Sequence, residues 1–119
     1  MAESHEFGRS CEALASEYME RKGWHVVARN YRFGRREIDL IAERDGVIAF
    51  LEVKGRSGPR FGHPLEAITA LKRREIAAVA KHWIARHGRP GASYRFDAIA
   101  VVGGPAGSRV EHVEDAWRL

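Results

Sequence analysis

Residues Arg36 to Arg56 read REIDLIAERDGVIAFLEVKGR, and this stretch decides the fold. Two runs rich in Ile, Leu, Val, Ala and Phe, "EIDLIAE" and "VIAFLEV", flank Asp45-Gly46, a strong two-residue hairpin signal. The turn sets a register. Arg44 pairs with Val47, Glu43 with Ile48 and Ile41 with Phe50; continued outward, Asp39 faces Glu52 and Glu37 faces Lys54. Alternation then puts Glu37, Asp39, Glu52 and Lys54 on one side with Ile41, Ile48 and Phe50, and Ile38, Leu40, Leu51 and Val53 on the other. Directly opposed positions bring Cβ atoms to about 4.5–5.5 Å, close enough for two carboxylates to share one cation, and unpaired like charges there are destabilising. Because both faces are otherwise apolar, the acids are costly unless they bind a metal or meet a cleft. The plainer alternative is a solvated edge on which Lys54 satisfies Glu37 and water satisfies the rest.

The flanking sequence supplies the remaining elements. Upstream, "WHVVARNYRF" reads as a strand from Trp24 to about Tyr31. Before it, from about His5 to Lys22, Phe7, Cys11, Leu14, Ala15 and Tyr18 fall at helical spacing until Gly23 ends the helix. Downstream, Gly55 to His63 is a loop rich in Gly, Pro and Arg. A long helix follows from about Pro64 to His87, stopping at Gly88 with Pro90 beyond. "YRFDAIAVV" is a fourth strand, "GGPAG" a turn and "RVEHV" a short peripheral fifth strand. The order is α-β-β-β-α-β-β. The helix between the third and fourth strands is long enough for a right-handed crossover, making those strands parallel within a mixed α/β sheet flanked by helices. One domain over 1–119 is expected, with a core at about 5–102 and a short C-terminal strand extension at 109–119.

Composition narrows the function. At 45% hydrophobic and 30% charged, the chain of 119 residues has the balance of a folded protein. No apolar run spans a bilayer, and "MAESHEFGRSCEA" lacks a signal-peptide pattern, so a cytoplasmic protein with no membrane partner is expected. A single cysteine, Cys11, excludes an internal disulfide and any multi-cysteine metal site. The net charge of +4 and pI of about 9.6 favour a polyanionic partner. Arg29, Arg32, Arg35 and Arg36 crowd "RNYRFGRR", interleaved with Tyr31 and Phe33, and Arg56 and Arg60 lie in "GRSGPRFGHP". On charge alone, these segments read equally well as solvated loops.

The metal that suits Asp39 and Glu52 is magnesium or manganese, hard cations that take carboxylate, water and phosphate oxygens. None of the six histidines shows the spacing of a zinc motif. On the second helix, Lys72 interrupts the stripe of Ile68, Ile76, Val79 and Trp83, either snorkelling to water or aimed at the carboxylates. Glu12, at the margin of the first helix's apolar face, is a candidate third carboxylate. Metal held by Asp39 and Glu52, with Lys54 on the same face and basic loops alongside, is equipment for phosphodiester hydrolysis.

These residues also carry a resemblance. Asp39 followed by Glu52-Val53-Lys54 resembles the PD-(D/E)xK nuclease motif, with Ile38 in place of the Pro before the Asp. The pieces "GRSCEALA", "ARNYR", "EIDLIA", "FLEVKGR", "FGHPLEAI", "LKRREI" and "RFDAIAVV", from about Gly8 to Val102, resemble the YraN-like family of small bacterial proteins. That family is predicted to be similar to archaeal Holliday junction resolvases. The resemblance implies a restriction-endonuclease-like fold and a metal-dependent endonuclease acting on DNA, branched or flapped DNA included. Asp39, Glu52, Lys54 and Glu12 would be catalytic, the three acids would bind Mg2+ or Mn2+, and Lys72 would lie near the site. Glu37 is a secondary candidate. Arg36 departs from the family's usual Gly before "EID", which bears on access and phosphate contact. Resolvase-like nucleases commonly act as homodimers. A non-catalytic nucleic-acid-binding accessory protein and a structural domain with a vestigial acid pair are the alternatives.

Overall fold

Asp45 (φ 50) and Gly46 (φ 78) both occupy the left-handed region, as a two-residue type I′ hairpin turn requires. The computed structural model describes the backbone of residues 2–57, 68–104 and 107–118, and the side chains of 11–56, 68–103 and 107–118. In chain order the elements are α1 (Ala2–Arg21), β1 (His25–Phe33), β2 (Arg36–Arg44), β3 (Val47–Ser57), α2 (Ala70–His87), β4 (Ser93–Gly104) and β5 (Gly107–Trp117). The strands form one five-stranded sheet in the order β1-β2-β3-β4-β5. Only β3 and β4 pair in parallel, and α2 is the crossover between them. This is the mixed α/β order expected from the sequence.

The helices cover opposite faces of the sheet. Cys11, Ala15 and Met19 of α1 pack with Leu40, Ala42, Ala49, Leu51, Ile99 and Val101. Ile76, Val79, Ala80 and Trp83 of α2 pack with Ile41, Ile48, Phe50 and Ala98. Covered on both faces, β3 has little reason to alternate polar and apolar residues, hence its nearly continuous apolar run. Phe50 is wholly buried between strands and α2, a burial contributing about 1.5–3 kcal/mol.

Several boundaries differ from expectation. Helix α2 begins at Ala70, not near Pro64, because Thr69 takes the N-cap position and its Oγ1 accepts the Lys72 N–H at 3.1 Å. Ile68, expected on the helical stripe, is buried just ahead of that cap. Pro64 and most of the Gly55–His63 segment lie outside the described residues. Gly88 ends α2 with φ −62, so its role is not the left-handed cap; a Cβ there would sit 2.5 Å from the Ile84 carbonyl oxygen. Strand β1 runs past Tyr31 because Phe33 still pairs with Arg36. Strand β5 is longer than "RVEHV": it spans 11 residues and ends by burying Trp117 in the cluster beneath α2. Phe7, named on the first helical stripe, has its side chain outside the described set.

Candidate active site

The turn-set register holds from Arg44↔Val47 to Leu40↔Leu51, and there the β2–β3 ladder stops. Asp39 therefore does not stand opposite Glu52 as a paired strand residue. Its Oδ2 instead accepts the Val53 N–H at 2.7 Å, a side chain taking the place of a strand carbonyl. Glu37 does not meet Lys54 either. It faces β1, where Arg32 is its register partner and donates from Nε to Oε2 at 2.9 Å. Ile38 leaves the side of Leu40, Leu51 and Val53 and packs with Ile41 and Phe50.

Asn30 accounts for this break in alternation. It lies between the Arg29↔Leu40 and Tyr31↔Ile38 pairs, so it stands beside Asp39, and its φ is 49. A left-handed residue turns the strand locally, and asparagine tolerates that conformation better than most. The amide of Asn30 also donates from Nδ2 to Glu12 Oε2 at 3.1 Å, tying α1 to the break.

Two groups of charge result. Toward α1, one oxygen each from Glu12, Glu37 and Asp39 lie within 4.8 Å of one another. Toward α2, Glu52 is only 4% exposed. Its Oε1 lies 3.4 Å from Lys54 Nζ and 4.0 Å from Lys72 Nζ, while Oε2 is buried with no hydrogen-bond partner among the described residues. Lys72 thus interrupts the α2 stripe because it reaches the carboxylate rather than only the solvent.

Burial pushes the Glu52 carboxyl up to about 7, helped by the charge of Asp39 and opposed by Lys72 and Lys54. Asp39 is raised as well, first by burial and then by Glu37, against the Val53 hydrogen bond and both lysines. Glu12 is raised by burial and by the charges of Asp39 and Glu37. Four acids lean on one another here with two ammonium groups at one end. The donor set is all oxygen, and an orphaned carboxylate oxygen is the kind of atom a hard cation satisfies, so the residues fit magnesium or manganese.

The basic residues divide. Arg29 pairs with Glu20 at 3.3 Å and Arg32 with Glu37, while Arg56 is half-buried and donates to the Gly55 carbonyl at 3.1 Å. Arg35 and Arg36 are exposed and have no hydrogen bond or ion pair among the described residues. Arg60 lies outside the described residues. No described helix is long and apolar enough to cross a membrane.

Sequence reasoning passed over Asp97. It is wholly buried on β4 and accepts Arg95 Nε at 3.0 Å, His112 Nε2 at 2.8 Å and the Asp115 N–H at 2.9 Å. Burial alone would raise its carboxyl, but the bonds from His112, Arg95 and Asp115 hold it below the usual range. Asp97 sits where the β4–β5 register shifts between Phe96 and Ala98, and it satisfies the backbone of that bulge. The signal was an aspartate inside "RFDAIAVV", the same kind of interruption that marks Asp39.

Relatives place the chain. Residues 11–101, which include Glu12, Asp39, Glu52, Lys54 and Lys72, match the model of the uncharacterised protein family UPF0102. A UPF0102 protein of Symbiobacterium thermophilum is 44% identical over 104 residues, covering 87% of this chain and 88% of that one. One of Chloroherpeton thalassium is 41% identical over 96 residues, covering 81% and 74%. One of Christiangramia forsetii is 35% identical over 117 residues, covering 98% of each. The chain therefore belongs to the uncharacterised protein family UPF0102, the YraN-like family whose motifs it carries.

Proposed function

We propose that this protein is a magnesium- or manganese-dependent endonuclease that hydrolyses DNA phosphodiester bonds, with the restriction-endonuclease-like fold of the PD-(D/E)xK nucleases. The observation that carries the reading is Glu52, buried with one oxygen answered by two lysines and the other by nothing, beside an Asp39 of raised pKa. When bound, the metal supplies Lewis-acid polarisation of the phosphate and a lowered pKa for water. Asp39, Glu52 and Glu12 hold it, and Glu37 joins when released from Arg32. Lys54 keeps an ammonium group beside Glu52, where a phosphate oxygen gains charge during reaction. Lys72 adds a second cation from α2. Arg29, Arg32, Arg35, Arg36, Arg56 and Arg60 hold the DNA backbone by charge, without reading sequence. The substrate class is DNA, branched or flapped forms included, in the cytoplasm, and a homodimer is the proposed assembly.

One observation favours a second reading, a nucleic-acid-binding accessory protein that does not cut. Glu52 stands apart from the trio of Glu12, Glu37 and Asp39 whose oxygens converge, and its Oε1 is already neutralised by lysines. The test is incubation of wild type and Asp39→Asn with labelled single-stranded, duplex, flap and four-way DNA in magnesium, manganese or EDTA. Cleavage that needs metal and is lost in Asp39→Asn supports the nuclease. No cleavage of any substrate with either metal, or equal cleavage by Asp39→Asn, sinks it, and binding without cleavage supports the accessory reading.

A further inference from the structure

Strand β1 ends on Phe33, which is 45% exposed, an unusual place for a phenylalanine. Its ring is fixed from one side only. The ring stacks on the His82 imidazole with centroids 4.1 Å apart and planes 13° from parallel. His82 is itself anchored, since its Nδ1 is hydrogen-bonded to the Tyr31 hydroxyl at 2.9 Å. The ring is therefore held flat from beneath while much of its surface faces solvent.

Its neighbours carry charge. Gly34 (φ 66) and Arg35 form the turn, Arg36 is the register partner of Phe33, and Arg35 and Arg36 are exposed with no partner among the described residues. A cover for His82 would need only an aliphatic side chain. A rigid aromatic face beside two uncommitted arginines matches a different object, a flat base joined to phosphates. Aromatic stacking on bases is tolerant of sequence and demands that the base be out of its duplex.

We infer that Phe33 is a stacking platform for an unpaired nucleobase, with Arg35 and Arg36 on the flanking phosphates. The inference rests on the nuclease reading for its bearing on the cut. Arg36 lies three residues before Asp39, about 10 Å along the strand, or roughly three nucleotide steps. DNA with an opened or single-stranded segment next to the scissile bond is then the substrate class of this site.

The experiment measures binding in EDTA, where a metal-dependent site does not cut, using oligo-dT and a blunt duplex of equal length. Expected are about tenfold weaker binding of oligo-dT by Phe33→Leu and Phe33→Ala, with duplex affinity unchanged. Phe33→Leu still covers His82, so its loss would not be a folding effect. Phe33→Trp should retain affinity, and its added emission should be quenched by oligo-dT and not by duplex. Trp24, Trp83 and Trp117 are at most 5% exposed and give a steady background. Wild-type affinity for oligo-dT in Phe33→Leu, or unquenched emission of Phe33→Trp at saturation, overturns the platform alone. If wild type binds neither DNA, the platform and the nuclease reading fall together. Selective oligo-dT binding without metal-dependent cleavage sustains the platform and removes the nuclease.

Discussion

Glu52 and Asp97 are both buried acids, yet their environments push in opposite directions. With its carboxyl raised from 4.5 to about 7, Glu52 holds a proton in the fold that the unfolded chain has already released. Its contribution to stability is thus complete below the unfolded value and lost as pH rises toward the folded one, up to about 3 kcal/mol in all. Glu52→Gln should flatten that loss, seen as a urea midpoint that falls less than wild type between about pH 5 and about pH 8. Parallel profiles would refute it. Asp97, held below 3.8, contributes stability that is present above that value and lost as pH falls through its folded pKa. Asp97→Ala strands Arg95 and the bulge backbone, and about 3–5 kcal/mol of unfolding free energy should disappear in urea melts. Asp39, Glu52, Lys54 and Lys72 were legible because each breaks an apolar pattern. Asp97 breaks one too, but its partners His112 and Asp115 come from a strand whose pairing no local pattern reveals.

The hairpin was legible as an element down to its turn residues, and the parting of its strands was not. A turn fixes register only while both strands stay regular, and the irregularity here originates on a third strand, at Asn30. Asn30→Gly should hold stability within about 0.5 kcal/mol, because glycine accepts a positive φ without strain. Asn30→Val should cost about 1–2 kcal/mol or more, since a β-branched residue resists that conformation. Equal urea midpoints for the two variants would remove the strain from this account. The start of α2 was misplaced for a similar reason: Pro64 is an acceptable first residue in isolation, but Thr69 is the side chain that caps. Thr69→Ala should cost about 1 kcal/mol.

At the scale of the molecule, strand order followed from one crossover rule and one hairpin, which is why the α-β-β-β-α-β-β order survived the errors at its boundaries. Whether the acids hold metal is also a property of the whole fold, because a ligand that binds only the native state raises its melting temperature. Manganese should raise the melting temperature of wild type more at about pH 8 than at about pH 6, since protons must leave Glu52 and Asp39 first. Asp39→Asn should blunt the rise, and an undiminished rise would place the metal elsewhere. If DNA binds across the exposed arginines, Arg36→Ala should reduce the slope of log affinity against log salt by about one.

The bond from Val53 to Asp39 has a spectroscopic consequence. Among the amides of β3, Val53 donates to a titrating carboxylate at 2.7 Å, whereas Ala49 lies in the regular ladder opposite Ala42. The NMR resonance of the Val53 amide should therefore move with the charge state of Asp39 and shift again when manganese or magnesium arrives, while that of Ala49 stays still. One backbone proton thereby reports from inside the site, with no label attached and no substrate needed.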